Sequence, residues 1–159
     1  MDQRIMVVDP GKCTGCRLCE LICSFYHYKE FNPLRSRIRV IKFEEKGFDF
    51  PVVCQSCEDA PCIRVCPVSA IKKDAKTGGV YVDEELCIGC KLCMIVCPIG
   101  AISLDPHSRK IMICDLCGGD PKCVEFCETK ALAYVRIDKV GYLKRKTAIK
   151  KFEEMADLL

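Results

Sequence analysis

Sixteen cysteines stand in four tetrads of a 159-residue chain: Cys13, Cys16, Cys19, Cys23; Cys54, Cys57, Cys62, Cys66; Cys87, Cys90, Cys93, Cys97; and Cys114, Cys117, Cys123, Cys127. None lies outside a tetrad. The first and third read C-x2-C-x2-C-x3-C, and the third continues into Pro98, the run that holds [4Fe-4S] clusters. Each tetrad keeps its four ligands, so the thiolates meet the demand of four clusters rather than three. The chemistry such centres supply is one-electron transfer.

Geometry explains the spacing. Cysteines at i, i+3 and i+6 on a looping backbone aim three sulfurs at one cubane, while the fourth points away and serves the cluster of a partner tetrad. Which tetrads are partners is left open by distance along the chain. Tetrads two and three share a Cys-Pro ending (Pro67, Pro98), whereas one and four end in Ser24 and Glu128. Like-with-like pairing therefore favours two with three and one with four. Zinc sites close four ligands from two C-x2-C pairs and seldom place a third cysteine at i+6. A disulfide framework does not account for the spacing either. No P-loop, GxGxxG or serine elbow is present, so catalysis by this chain alone is not expected.

The elements that must position these thiols follow a repeat. Val-Asp-x-x-x-Cys occurs at Val8-Asp9 before Cys13 and at Val82-Asp83 before Cys87, and Gly15 and Gly89 precede the second cysteine of each. Tetrads two and four instead follow short apolar strands, Pro51-Val52-Val53 and Ile111-Met112-Ile113. An alanine and a larger apolar residue follow three tetrads, at Ala70-Ile71, Ala101-Ile102 and Ala131-Leu132; the first tetrad departs, with His27-Tyr28 there. Strand, turn and strand are expected over 70–83, with the turn at 76–79, and again over 101–113, with the turn at Asp105-Pro106-His107-Ser108. A helical turn is expected between the third and fourth cysteines of each tetrad. The fold class is α+β and ferredoxin-like: two pseudo-symmetric two-cluster modules of short β-hairpins and one-turn helices, plus a C-terminal helix. Residues 1–30 with 111–137 form one module and 50–110 the other. Residues 31–49 are a basic insertion, and 138–159 a tail.

Composition bounds the rest. Half the residues are hydrophobic, but that count includes the cysteines, so the conventional core is thin. The start carries no apolar h-region or twin arginine, no run reaches the length of a membrane helix, and a cytoplasmic location away from membranes is expected. The formal charge of +3 describes the bare chain. Four cluster cores and sixteen thiolates would bring it to about −5, which removes support for nucleic-acid binding.

Four tetrads in so short a chain resemble the iron–sulfur electron-transfer subunits of molybdenum and tungsten pterin oxidoreductases. The segment from Cys23 to Ile38 is most similar to the small subunits found with tungsten-dependent aldehyde oxidoreductases and class II benzoyl-CoA reductases. The resemblance implies four [4Fe-4S] clusters: on Cys13, Cys16, Cys19 and Cys127; on Cys114, Cys117, Cys123 and Cys23; on Cys54, Cys57, Cys62 and Cys97; and on Cys87, Cys90, Cys93 and Cys66. It implies a large pterin-bearing catalytic partner of the aldehyde or acyl-CoA class, and a ferredoxin or flavoprotein as external carrier. An iron–sulfur subunit of a hydrogenase or formate dehydrogenase assembly and a free polyferredoxin remain the alternatives. A row of clusters exposed at both ends would also permit copies to stack.

Three features stand outside the frame. Arg35, Arg37, Arg39 and Lys42 alternate with apolar residues, as expected of an edge strand whose basic face is either solvated or a docking surface. Ala148, Ile149, Phe152, Met155, Ala156 and Leu159 repeat at helical spacing, with Thr147 as N-cap; the stripe covers either the chain's own core or a neighbouring subunit. His27 and His107 are read as remote from any ligand position. Asp115, Asp120, Glu125 and Glu128 crowd tetrad four and are expected to lower the potential there, whereas Ile88, Leu92, Ile95, Val96 and Ile99 line tetrad three.

Overall fold

First and last strands meet: β1 (Arg4–Val8) pairs antiparallel with β8 (Leu132–Arg136), in a register that sets Arg4 opposite Arg136 and Val8 opposite Leu132. The computed structural model describes residues 4–156. Among these, three further two-stranded antiparallel sheets form: β2 (Arg39–Phe43) with β3 (Phe48–Val52), β4 (Ile71–Lys73) with β5 (Val80–Val82), and β6 (Ser103–Leu104) with β7 (Ile111–Met112). The hairpins expected over 70–83 and 101–113 are the last two. Each turn is organised by an aspartate. Asp74 accepts from the N–H groups of Lys76 and Thr77, and Asp105 from the His107 N–H and the Ser108 hydroxyl.

The helices take their starts from the cysteine frame. In tetrads one and three, α1 (Leu18–Tyr28) and α3 (Leu92–Val96) begin after a left-handed residue, Arg17 or Lys91. In tetrads two and four, α2 (Pro61–Arg64) starts at Pro61 and α4 (Lys122–Glu125) just after Pro121, residues whose fixed φ suits a helix start. Gly15 must be glycine twice over: its φ is +64°, and an added Cβ would meet the Asp49 carboxylate at 2.6 Å.

One helix departs from the one-turn expectation, since α1 runs eleven residues. After the fourth cysteine of the other tetrads, the chain reverses through a left-handed residue, Ser69, Gly100 or Lys130, just before the alanine. Tetrad one lacks that alanine, and α1 continues past Cys23 to Tyr28. The buried Ser24 hydroxyl donates to the Leu21 carbonyl and accepts the Asn32 N–H, tying the helix to the segment that follows it.

Two cores result, and cysteines are part of both. Met6, Ile38, Val53, Leu116 and Leu132 pack with Cys23, Cys114 and Cys123. Ala60, Ile71, Val80, Ile102, Ile111 and Ile113 pack with Cys62 and Cys93. Cys54 touches both.

The arginines of the basic insertion do not form the expected basic face, because they turn inward. Arg35 makes two hydrogen bonds to Asp105, at 3.1 and 2.7 Å, and lies over the Tyr28 ring at 3.8 Å. Arg37 reaches Asp115 at 2.6 Å, and Arg39 donates to the Pro33 carbonyl. Lys42 alone of the four stays on an exposed strand position. Thus 29–38 is a strap: it leaves α1, grips the β6–β7 turn through Arg35 and the fourth tetrad through Arg37, and buries Ile38.

Asp105 is 2% exposed. Burial pushes its carboxyl up, but Arg35, the His107 N–H and the Ser108 hydroxyl outweigh it and hold the group well below the usual range. Asp105→Asn is therefore expected to lower the denaturant midpoint of the loaded protein by more than an exposed ion pair would. The native pKa is depressed, so the stabilisation is present above the unfolded value of about 3.9 and is lost as pH falls through the native one. The gap between variant and parent should accordingly stay constant from about pH 8 to about pH 5. A gap that closes within that range would assign the effect to another group.

The tail helix α5 spans Ile137–Ala156 and begins ten residues before the expected cap at Thr147. Strand β8 runs directly into it, and Asp138 in its first turn accepts from Arg136 and suits the positive helix end. Val140 and Leu143 are partly buried, whereas Ala148 and Ile149 are exposed and do not cover the core. Of the rest of that stripe, Leu159 lies outside the described residues, as do the side chains of Thr147, Phe152, Met155 and Ala156. Among the described residues, no helix is long and apolar enough to cross a membrane.

Candidate metal centres

All sixteen thiols are free, and the packing gathers eight of them in two fours, each drawn from two tetrads. Cys13, Cys16, Cys19 and Cys127 line one cavity beside Val40, Phe126 and Leu132. The meeting of α1 with α4, beneath the β1–β8 pair, brings Cys127 there. Cys66, Cys87, Cys90 and Cys93 line a second cavity with Val68, Ile71, Ile88 and Leu92, where α2 meets α3.

The other two groups are deeper. Cys23 lies within electrostatic reach of Cys114, Cys117 and Cys123, and Cys97 within reach of Cys54 and Cys62. Between groups, Cys19 acts on Cys123, and Cys54 on Cys114. The Cys54 and Cys87 groups meet in the second core, so the four groups can be ordered as a row with the Cys13 and Cys87 groups at its ends. Only Cys16 and Cys90 are exposed among the sixteen, one in each end group.

Burial and crowding decide the chemistry of these thiols. Burial is the largest influence at Cys19, pushed up to about 12, and at Cys54, Cys93 and Cys117, each pushed up to about 11, with neighbouring thiols adding to it. Cys114 and Cys123 are driven up further by the same causes. Without a cationic core, such a group stays protonated at neutral pH; iron would hold all four as thiolates. The donor set thus fits a strongly positive metal–sulfide core.

Backbone N–H groups aim at several sulfurs. Ala70 N–H donates to Cys66 at 3.2 Å and Ala101 N–H to Cys97 at 3.3 Å, which explains the alanine after each reversal as part of the site. At Cys66, burial is outweighed by the N–H groups of Ala70, Ile71, Val68 and Ser69, and the pKa falls.

Two expectations about the surroundings change. The acidic setting of tetrad four is largely neutralised: Asp115 pairs with Arg37, and Lys122 bridges Asp120 and Glu125. His27 is not remote, because the extended α1 carries its Nε2 to 4.0 Å from Cys117 Sγ and 3.5 Å from Asp115 Oδ1. Burial first, then Arg37, lowers its pKa to about 4, so the ring is neutral at pH 7. Around tetrad three, Ile88 and Leu92 line the cavity, while Ile95 is 78% exposed and Ile99 also faces out.

Comparison with known proteins agrees with this arrangement. A profile of the 4Fe-4S dicluster domain matches residues 46–137, and one of a 4Fe-4S binding domain matches residues 10–26. The polyferredoxin-like subunit of aliphatic sulfonate oxidoreductase from Pyrococcus furiosus is 44% identical over 80% of this chain and 73% of its own length. Formate hydrogenlyase subunit 2 of Escherichia coli is 34% identical over 98% of this chain and 93% of its own. Among solved structures, a chain of the active site complex BamBC of benzoyl coenzyme A reductase, with benzoyl-CoA, superposes with a TM-score of 0.52 at 28% identity, covering 98% of this chain and 95% of that one. The bound groups are [4Fe-4S] clusters, and the sixteen thiols supply ligands for four.

Proposed function

The chain belongs to the 4Fe-4S dicluster-domain family, and on that premise we propose that it is the electron-transfer subunit of a tungsten or molybdenum pterin oxidoreductase of the aldehyde or acyl-CoA class. The observation that carries this reading is the row of four thiol groups with an exposed cysteine at each end. One end faces the catalytic partner and the other an external ferredoxin or flavoprotein.

In this reading the ligand sets are the four groups: Cys13, Cys16, Cys19 and Cys127; Cys23, Cys114, Cys117 and Cys123; Cys54, Cys57, Cys62 and Cys97; Cys66, Cys87, Cys90 and Cys93. Cys23, Cys66, Cys97 and Cys127 cross between tetrads. Residues 1–30 with 111–137 make one module, 50–110 the other, and the strap joins them. A bound [4Fe-4S] cluster takes up and gives back one electron with little rearrangement. The protein's part is to fix the sulfurs, exclude water from the inner groups and set charge and hydrogen bonds around each. Chemistry on the substrate belongs to the partner.

Support for a catalytic partner comes from relatives named as parts of oxidoreductase assemblies. The likeness to a formate hydrogenlyase subunit favours, as second reading, a place in a hydrogenase or formate dehydrogenase assembly. Anaerobic purification of the tagged chain from its own cells distinguishes them. The expected result is co-elution with a larger subunit holding tungsten or molybdenum and pterin, in one fixed assembly, and reduction of this chain's clusters when that enzyme's substrate is added. Co-elution with a nickel–iron subunit, or reduction of the clusters by formate rather than by an aldehyde or acyl-CoA, assigns the second reading, and elution alone at monomer size assigns a free carrier.

A further inference from the structure

Outside the cysteine loops, two side chains and one backbone N–H converge on the sulfurs of a single group. They come from the end of α1 and from the strap. The Arg37 N–H donates to Cys23 Sγ at 3.3 Å. The His27 imidazole, its side chain 10% exposed, places Nε2 4.0 Å from Cys117 Sγ and 3.5 Å from Asp115 Oδ1. The Asp115 carboxylate accepts, as would Cys117 as a thiolate on iron, so with a cluster bound this nitrogen would carry the proton and donate between them. The Arg37 guanidinium holds Asp115 at 2.6 Å and acts on Cys117 as well, while its Nε is buried without a protein partner.

The other groups are served differently. Cys54, Cys66 and Cys97 take N–H groups from their own loops, and Cys127 has the Thr129 hydroxyl at 3.8 Å. None of those contacts brings a full positive charge. Asp115 partly offsets the guanidinium and takes its N–H together with that of Cys117, so the Arg37 backbone N–H and His27 Nε2 are the donors that reach sulfur, with the guanidinium charge beside them.

We propose that Arg37 and His27 are positioning residues that raise the potential of the cluster on Cys23, Cys114, Cys117 and Cys123 and so make this inner station a preferred resting place for the electron. The physical reason is the charge of the reduced state. One added electron places more negative charge on the core and its thiolates, and a cation and hydrogen-bond donors aimed at those sulfurs favour it. Burial of Cys23, Cys114 and Cys123 acts in the opposite sense, which is why this group needs the donors. The inference rests on the ligand sets proposed above.

The test is a redox titration of the loaded protein, followed by electron paramagnetic resonance, on Arg37→Gln, Arg37→Lys, His27→Ala, His27→Gln and Asp115→Asn. Arg37→Gln is expected to shift one couple downward so that the ratio of reduced to oxidised cluster falls roughly tenfold at fixed potential, about 59 mV for one electron. His27→Ala should move the same couple in the same direction by less. Arg37→Lys and His27→Gln, which keep the charge or the donor, should restore most of the shift. Asp115→Asn removes the opposing charge while keeping the oxygen that accepts from the Cys117 N–H, and should move that couple up. Iron content separates the two claims, because a variant short of iron bears on the ligand set rather than on tuning. Full iron with no couple moved, or all couples moved together, overturns the proposal, as does a downward shift in Asp115→Asn.

Discussion

Stripping the iron with an anaerobic chelator is expected to unfold the chain, with the helical signal and resistance to proteolysis lost together with the visible absorbance. Nothing in the apolar framework is large enough to stand without the metal. Among the described residues, the longest strands have five residues, every sheet has two strands, and three of the five α-helices are five residues or shorter. Isolated hairpins and single-turn helices of this kind are marginal in water. Each core is built in part from thiols, and eight thiols line two cavities, Cys13, Cys16, Cys19 and Cys127 in one and Cys66, Cys87, Cys90 and Cys93 in the other. For such sites, binding free energy is folding free energy.

The pH dependence of the stripped chain has a definite sign. Cys54, Cys93 and Cys117 ionise near 11 in the fold, above their ordinary value of 9.0. Any folded population that survives stripping is favoured fully below that ordinary value, and the advantage is lost as pH rises toward 11. The loaded protein should not show this decline, since its sulfurs are already ionised on iron. Secondary structure that persists unchanged after complete iron removal would refute the expectation.

The second large effect distinguishes crossing from local ligands. Cys16→Ala and Cys23→Ala each remove one sulfur, and in each the iron content is expected to fall from about 16 toward about 12 per chain. Their stabilities should diverge. Cys16 is exposed at one end of the row, so its loss should leave the rest of the fold standing. Cys23 is 7% exposed, sits in the core with Met6, Ile38 and Leu132, and accepts the Arg37 N–H of the strap. Its replacement removes a buried contact between α1 and tetrad four and leaves that N–H without its acceptor. The additional loss is expected to be about 2 kcal/mol or more, within the range for a buried donor left unpaired plus a small cavity. Denaturant unfolding of the two variants at matched iron content measures it. Equal midpoints, or a Cys23→Ala chain with sixteen irons, would exclude Cys23 as a crossing ligand.

How far the sequence carried this picture depended on range. The 70–83 and 101–113 hairpins were legible because their turn aspartates and flanking apolar residues lie within a dozen positions. The departure of tetrad one was visible as the missing alanine, yet its result, a helix long enough to deliver His27, was not. His27 and Cys117 are 90 residues apart, and Arg35 and Asp105 are 70 apart. Alternation of arginine with isoleucine reads as a strand with a wet face; here a 3-10 turn at Pro33–Arg35 breaks that period and turns the guanidinium groups inward. Helix α5 was placed too late because β8 gives way to it without a loop, so neither glycine nor proline marks the change.

The pairing of β1 with β8 and the meeting of Cys13 with Cys127 also impose an order on biosynthesis. The thiols of tetrads two and three, from Cys54 to Cys97, have all left the ribosome well before Cys127. The first three cysteines made belong to a group that the packing completes only with the last one. At about 5–20 residues per second, that leaves Cys13, Cys16 and Cys19 waiting for seconds as an incomplete set. Maturation would then run from the Cys87 end of the row toward the Cys13 end, with the amino-terminal thiols the ones most in need of protection from oxygen or of a delivery protein that holds them until the chain closes.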